Sequence, residues 1–509
     1  MNDVGGRSTR SNADVRVRSG VARAAHGDRP APCDGVRIFR VIAAAALTVL
    51  TGCAVGPNFE RPPPPTVDRY DQNTVELPNA GADQPVQTLT AGSAPADAWW
   101  RAFASSPLDD TVSSALGANP TLQAARSTLD AATETLNAAR GALWPQLDAV
   151  GTASRGNGGI NRSGLISVRN LYNLGGALTY NVDLFGGTRR RIEQQAALVD
   201  FQRGVVGATY LTLTGNVVTA VIDIASATEE LAAVEEIIAV DEHNLELVQI
   251  SAQAGKSAGT DVLAAEGQLA NDRTLVPPLR QQLAAARHTL AILTGRAPAE
   301  WGPPPFSFAA LTLPTDLPLT LPSELVRARP DILAAEAQLH AATAAVGIAT
   351  AQLYPNLTLT GSWTTSGTTS SDLFKSETDI WSIAAGLTAP IFHGGELRAQ
   401  QRAAIDLLAA QLATYRETVL AAFGQVADAL NALQHDAESV AAQQKALETA
   451  EATLDLTQQS YEAGQASFVQ VLVGQRLYQQ ARLGITRAVS QRYLDTALFF
   501  LALGGDAMR

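Results

Sequence analysis

The chain has 509 residues, a formal net charge of −12, and 46% hydrophobic residues of which few are aromatic. It holds three lysines, Lys256, Lys375 and Lys445, and an acidic chain this poor in lysine is not expected to bind nucleic acid. The apolar content is mostly Ala, Leu and Val, which suits long helices packed closely through small side chains.

The first element is a targeting segment. Arg37 and Arg40 precede the apolar run Val41–Leu50, and Thr51-Gly52-Cys53 follow. A basic flank, a short apolar core and small residues before a cleavage point describe an export signal over residues 1–52. The run is too short to span a bilayer as a helix. Leu-Thr-Gly-Cys resembles a bacterial lipobox, which makes Cys53 the expected lipid-bearing N-terminus; the alternative is an ordinary signal with a chance cysteine. Ala54, in place of an Asp, favours the outer membrane. Removing residues 1–52 takes away eight Arg and four Asp and moves the net charge from −12 to −16. Cys33 goes with them, so no disulfide is expected.

Residues 53–98 are rich in Pro, Gly and Thr, with Pro62–Pro65 in a row, and read as an extended tether. A body follows from Trp99-Trp100. A helix is expected from about Pro107 to Leu143, broken at Pro120 and stopped at Pro145. Leu147, Ala149, Gly151 and Ala153 then alternate with polar or small residues. In residues 177–185 (ALTYNVDLF), Leu178, Tyr180, Val182 and Leu184 share one face, and Thr179, Asn181 and Asp183 the other. Such period-2 alternation marks a transmembrane barrel strand, with hairpins of a water-soluble sheet as the alternative. From Thr188 to about Ala254 no proline occurs, and Leu231, Val234, Ile238, Leu245 and Val248 keep spacings of three and four. That helix would run about 100 Å. A glycine-containing turn at Gly255–Gly259 reverses the chain into a return helix ending near Leu293, which Pro277-Pro278 must kink or break.

Residues 298–322 are a Pro-rich linker, and what lies after it is a second reading of what lies before. Residues 118–147 and 328–357 are identical at twelve of thirty positions without a gap. Phe185-Gly186-Gly187 recurs as Phe392-His393-Gly394-Gly395, and Gly255 with Val262-Leu263 recurs as Gly464 with Val471-Leu472. The halves are 99–297 and 323–509, each helix, strand, strand, long helix, turn, return helix. Second-half strands are expected through Leu357, Leu359, Gly361 and Trp363, and through Ile383, Ala385, Leu387, Ala389 and Ile391. The long helix runs from Glu396 to about Ala463, a turn lies at Gly464–Ser467, and the return helix ends near Leu503.

Four strands cannot close a barrel, and an open edge cannot sit in lipid. The barrel must be shared, two chains supplying eight strands or three supplying twelve. Helices about 100 Å long, joined to those strands, must project from the membrane. The most economical reading is a conduit across the outer membrane and much of the periplasm.

Four stretches carry a family resemblance: Leu50–Pro65 (LTGCAVGPNFERPPPP), Trp99–Ala125, Arg329–Gly361 (RPDILAAEAQLHAATAAVGIATAQLYPNLTLTG) and Tyr461–Gln475 (YEAGQASFVQVLVGQ). The chain resembles a NodT-type outer-membrane lipoprotein of the TolC-like, OprM-like efflux factor family. The resemblance implies an α+β membrane protein. It would be a homotrimer with a twelve-stranded transmembrane β-barrel continuous with a long periplasmic α-helical barrel. It implies work with a periplasmic adaptor and an inner-membrane pump of the resistance-nodulation-division type, to expel small molecules. It implies that the helical turns are periplasmic tips, with Gly255, Lys256, Gly259, Thr260, Gly464 and Gln465 as adaptor-contact positions. The aperture would lie around Phe468, Gln470 and Val473, with Asp261 as the first-half counterpart of Gln470. Relatives often carry Asp where this chain has Gln470 or Val473, so an aspartate gate there is in doubt. Asp261 has two readings, an acidic ring at the tip or the cap of the return helix.

No enzyme is expected. The six histidines stand at 26, 243, 288, 340, 393 and 435, none with a partner at metal-ligand spacing. Gly156–Gly159 lacks the lysine of a phosphate-binding loop. No cofactor is implied beyond the covalent lipid on Cys53. The alternatives to small-molecule efflux are the exit duct of a type I protein secretion system and a passive porin. Long periplasmic helices argue against the porin.

Overall fold

The computed structural model describes residues 54–72, 76–81, 84–160, 166–375 and 379–504. The export signal and Cys53 lie outside the described residues. After a short strand β1 (Thr88–Ala91) and a 3-10 turn at Trp99–Phe103, the first half runs α1 (Ser106–Ala118), α2 (Pro120–Gly141), β2 (Gln146–Ile160), β3 (Ile166–Val182), α3 (Gly187–Gln253), α4 (Gly259–Arg273) and α5 (Val276–Leu293). The Pro-rich linker holds a short strand β4 (Asp316–Leu319), and α6 (Pro322–Ala328), α7 (Pro330–Ala351), β5 (Asn356–Gly367), β6 (Asp379–Thr388), α8 (Glu396–Glu462) and α9 (Phe468–Ala502) follow.

The breaks fall where proline and its neighbours dictate. Pro120 ends α1, and the Asn119 side chain accepts from the N–H groups of Thr121 and Leu122 at 2.9 and 3.1 Å, capping α2. Pro277-Pro278 separates α4 from α5 by occupying the first turn of α5, where a missing N–H costs no helical bond. The second half has no proline there, and α9 runs unbroken for 35 residues. α3 and α8 each have 67 residues, so each extends about 100 Å. Both begin on a left-handed glycine, Gly186 (φ 78°) and Gly395 (φ 89°), which turns the chain from strand to helix.

The strands form one antiparallel sheet in the order β2-β3-β5-β6, so β2 and β6 are edges with a single neighbour. Its register sorts side chains by chemistry. One face carries Thr152, Asn173, Asn181, Thr358, Ser362 and Ser382, linked across strands by Asn173–Thr152 (3.0 Å), Thr358–Asn181 (2.8 Å) and Ser362–Ser382 (2.8 Å). The opposite face carries Leu147, Leu178, Tyr180, Leu359, Trp363, Trp381, Ile383 and Leu387. Trp381 is 72% exposed and Ile383 82%, so the described residues leave this apolar face uncovered. The expected strand over 177–185 ends at Val182. Asp183 is not a sheet residue. Its carboxylate accepts from the N–H groups of Thr188 (3.0 Å) and Arg189 (2.9 Å) and caps α3. Ala389 and Ile391 likewise lie beyond β6.

Stretches of α3 and α7 are apolar enough to cross a bilayer, but half or more of each stretch is buried within the protein. They pack on each other through small residues. A Cβ on Gly204 would come within 2.8 Å of Ala334 Cβ. The main core lies midway along the body, where Leu213, Val217 and Val221 of α3 meet Val426 and Leu433 of α8, Phe499 and Phe500 of α9, and Trp99 and Phe103.

Described residues of the segment read as a tether dock on the body at several points. Val55 N–H donates to Phe185 O at 3.1 Å. Phe59 stacks on His340 at 4.4 Å, Arg61 pairs with Glu336 at 2.7 Å, and Tyr70 Oη donates to Thr320 O at 2.7 Å. β1 then pairs in parallel with β4 of the Pro-rich linker. The described residues between Ala54 and Ala91 therefore form a strap on the body.

Candidate functional site

The candidate functional features are the two helical hairpin tips and the seat of the strap. The tips are built alike. α3 ends with Gly255 at φ 70°, Lys256 N–H donating to Ser251 O and Gly255 N–H to Ala252 O. α8 ends with Gly464 at φ 74°, Gln465 N–H donating to Ser460 O and Gly464 N–H to Tyr461 O. Each is a Schellman motif, which closes a helix on a residue that only glycine adopts without strain. Gly255, Lys256, Gly259, Thr260, Gly464 and Gln465 are all exposed.

The return helices start differently. The Asp261 carboxylate accepts from the Ala258 N–H at 3.2 Å. Ala258 has no side-chain oxygen to return the bond, so half of a capping box forms. Gln470 holds the same place in the second hairpin, its Oε1 accepting from the Ser467 N–H at 2.7 Å and the Ser467 hydroxyl at 3.3 Å. Capping is thus a role that both side chains perform.

Phe468 departs from the expectation that groups it with the aperture. It is 6% exposed and packs with Val248 and Ala265, its ring 5.8 Å from Tyr461. It joins the two hairpins to each other. Gln470 and Val473 are exposed, and with Leu456, Thr457, Ser460 and Leu477 they line a groove of about 580 Å³ between α8 and α9.

At the other end of the helices, Arg190 is 3% exposed. It donates to Val55 O (3.1 Å), Gly56 O (3.3 Å) and Asn58 Oδ1 (2.8 Å), and pairs with Glu193 at 2.7 Å. Glu193 also meets His340 Nε2 at 3.0 Å, and these two partners hold its carboxyl below the usual range against the opposing pull of burial. Gly56 (φ 91°) lies so close to Gly347 that a Cβ there would come within 2.5 Å of Gly347 Cα. The residue after Cys53, Ala54, rests on Gly186 at the strand-to-helix junction.

Sequence reasoning missed Arg190, because Arg189-Arg190-Arg191 reads as a solvated charge run. It also missed Arg492, 1% exposed in the last third of α9, which donates to Gln87 Oε1 (3.1 Å) and Pro85 O (2.8 Å). Its sequence neighbours Ser490, Gln491 and Asp495 are polar, so no local pattern marks it as buried. Among the described residues, no three His, Cys, Asp or Glu side chains are grouped so as to hold a metal.

Residues 111–296 and 321–505 match the family described as outer membrane efflux protein, one match for each half of the chain. The chain belongs to that family. It is 29% identical over 480 residues to Nodulation protein T of Rhizobium leguminosarum bv. viciae, covering 92% of this chain and 93% of the relative. It is 31% identical over 440 residues to the pyoverdine export outer membrane protein OpmQ of Pseudomonas putida, covering 84% and 92%. Its fold superposes on the outer-membrane channel OprN with a TM-score of 0.80 at 27% identity, covering 90% of this chain and all of that one. The protein is an outer-membrane efflux channel, of the NodT-type and OprM-like kind that the sequence resembles. Its relatives are channel proteins rather than enzymes.

Proposed function

We propose that three copies of this chain close a twelve-stranded barrel in the outer membrane and continue it as a helical barrel in the periplasm. The duct would receive small molecules from an adaptor and a resistance-nodulation-division pump. The observation that carries this reading is the four-stranded sheet, with two unpaired edges and an uncovered apolar face. An edge cannot remain open in lipid, so β2 must pair with β6 of another copy. Two copies would give eight strands, whose interior side chains fill; three leave a lumen. The face with Asn173, Ser362 and Ser382 would line it, and the face with Trp363 and Trp381 would meet lipid.

Cys53 carries the lipid in this reading. Ala54 at the strand-to-helix junction supports it, because that junction is where barrel gives way to periplasmic helix. The exposed hairpin ends, Gly255, Lys256, Gly259, Thr260, Gly464 and Gln465, are the adaptor contacts. Val473 and Gln470 approach the aperture without a carboxylate, and Asp261 contributes the only acid of the set.

The test is crosslinking in living cells from single cysteines, Lys256→Cys and Gln465→Cys. Capture of an adaptor belonging to a proton-driven pump is expected. Capture of a peptide-transporter adaptor moves the assignment to protein secretion. A well-expressed protein that captures no adaptor from either position refutes the tip assignment.

A further inference from the structure

About two turns behind the Gly464 tip, α9 touches the first hairpin through a buried polar cluster. Asp241 of α3 is 3% exposed and Asp272 of α4 is 4% exposed. α9 supplies Gln475, 2% exposed, and Gln479, 6% exposed. Both amides donate to the same oxygen of Asp241, Oδ1, Gln479 at 3.4 Å and Gln475 in closer contact. Asn244 donates to Gln475 Oε1 at 3.0 Å. Gln268 donates to Asp272 Oδ2 at 2.8 Å and to Gln479 Oε1 at 3.3 Å. The amides are thus committed. Asp241 Oδ2 is buried with no partner, and the Asp272 carboxyl is near enough to act on Asp241.

Two ionised carboxylates have no donor to offer each other, and a buried acceptor without a donor is costly. Among the described residues, Asp272 is the charged group that acts on Asp241, and no cation acts on it. On α3, Glu242, His243 and Glu246 are exposed; on α4, Glu266 and Arg273 are exposed, and Arg273 pairs with Glu242 at 2.7 Å. On α9, Arg476 is exposed, and Arg482 lies about a turn further along, outside the groups that act on Asp241.

We propose that Asp241 and Asp272 hold one proton between them, forming a proton-dependent brace that pins the first hairpin to α9. The proton supplies the donor that Oδ2 lacks and removes one of two buried like charges. Burial, first, and the neighbouring carboxyl, second, push Asp241 up to about 8. A carboxyl raised on folding gives stability that is complete below the ordinary range and is lost as pH climbs to the raised value. The brace therefore grips in acid and slackens towards alkaline pH. The hydrophobic contact of Phe468 with Val248 and Ala265, nearer the tip, does not titrate and holds the hairpins together in both states.

The brace is internal to one chain, so its test does not depend on the adaptor assignment. Hydrogen exchange of the full-length protein is followed over α4 and the first turns of α9 at pH 5, 6 and 7, corrected for intrinsic rates. Opening of α4 from α9 should rise roughly tenfold per pH unit and level off above about pH 8. The doubly substituted Asp241→Asn, Asp272→Asn protein should lose that slope. The infrared difference spectrum at pH 6, wild type minus Asp241→Asn, should show a protonated-carboxyl band, because the substitution keeps the side-chain shape and leaves a further buried carboxyl, Asp436, in both proteins. A wild type without pH dependence, a double variant that keeps it, or an absent infrared band overturns the proposal. If the double variant does not fold, the wild-type titration and the single variant still decide.

Discussion

Arg190→Met removes the charge that seats the strap and keeps most of the side-chain volume. Three strap acceptors, Val55 O, Gly56 O and Asn58 Oδ1, then face a thioether. Bonds to a charged donor each contribute about 1.5–3 kcal/mol and do not add. Breaking a buried pair by removing one partner costs about 3–5 kcal/mol. Glu193 is left behind, but its side chain is 28% exposed and keeps His340, so the loss should sit at the lower end. A cost of about 3 kcal/mol raises strap opening roughly a hundredfold. The assay is hydrogen exchange of peptides covering residues 54–61, with protease nicking of the strap as a second readout. Peptides of the Leu213–Val221 core should be unchanged, because they share no contact with Arg190. Arg190→Lys should recover only part of the protection, since a point charge cannot reach all three acceptors and Glu193 together. Strap exchange in Arg190→Met equal to wild type would refute the claim that this arginine holds the segment.

Three further outcomes are expected. Gly204→Val forces a branched side chain against Ala334 backbone atoms that already lie 3.0 Å from a bare Cβ; separating α3 from α7 should cost about 1–3 kcal/mol, read as a lower unfolding temperature. Val473→Asp, repeated in each copy of the proposed assembly, should make the single-channel current sensitive to block by divalent cations, because a ring of carboxylates concentrates them; an unaltered current would place Val473 away from the aperture. The Asp109 carboxyl, held below its usual range by Arg101 and then Trp100, gives stability that is present above the ordinary carboxylate range and lost as pH falls through the lowered value. Trp fluorescence of the wild type should report that acid transition, and Asp109→Asn should lack it.

Much of the local structure around the candidate site was legible because it depends on local rules. Gly255 and Gly464 announced two tight reversals, and both adopt the left-handed backbone that only glycine takes freely. Pro277-Pro278 announced the break between α4 and α5. The alternation of Leu178, Tyr180 and Val182 with Thr179 and Asn181 announced a sheet with two unlike faces. Asp183 was misread because a carboxylate one step past a strand continues the same alternation. Only the Thr188 and Arg189 N–H groups pointing at it make it a cap.

By itself the sequence determined the duplicated plan, the order of the long helices and the four sheet strands, and a sheet too small to close, because periodicity, proline and glycine act through the nearest few residues; the short strands β1 and β4 it did not show. The tertiary structure alone decided which of three adjacent arginines would be buried, that Phe468 would face the other hairpin, that residues 54–91 would lie on the body, and that Asp241 would meet Asp272. Each of these depends on residues brought together from distant parts of the chain. The energy of a buried charge or ring is set by what surrounds it in space, and the local pattern around Arg190 or Asp241 is the same whether that surrounding is water or protein.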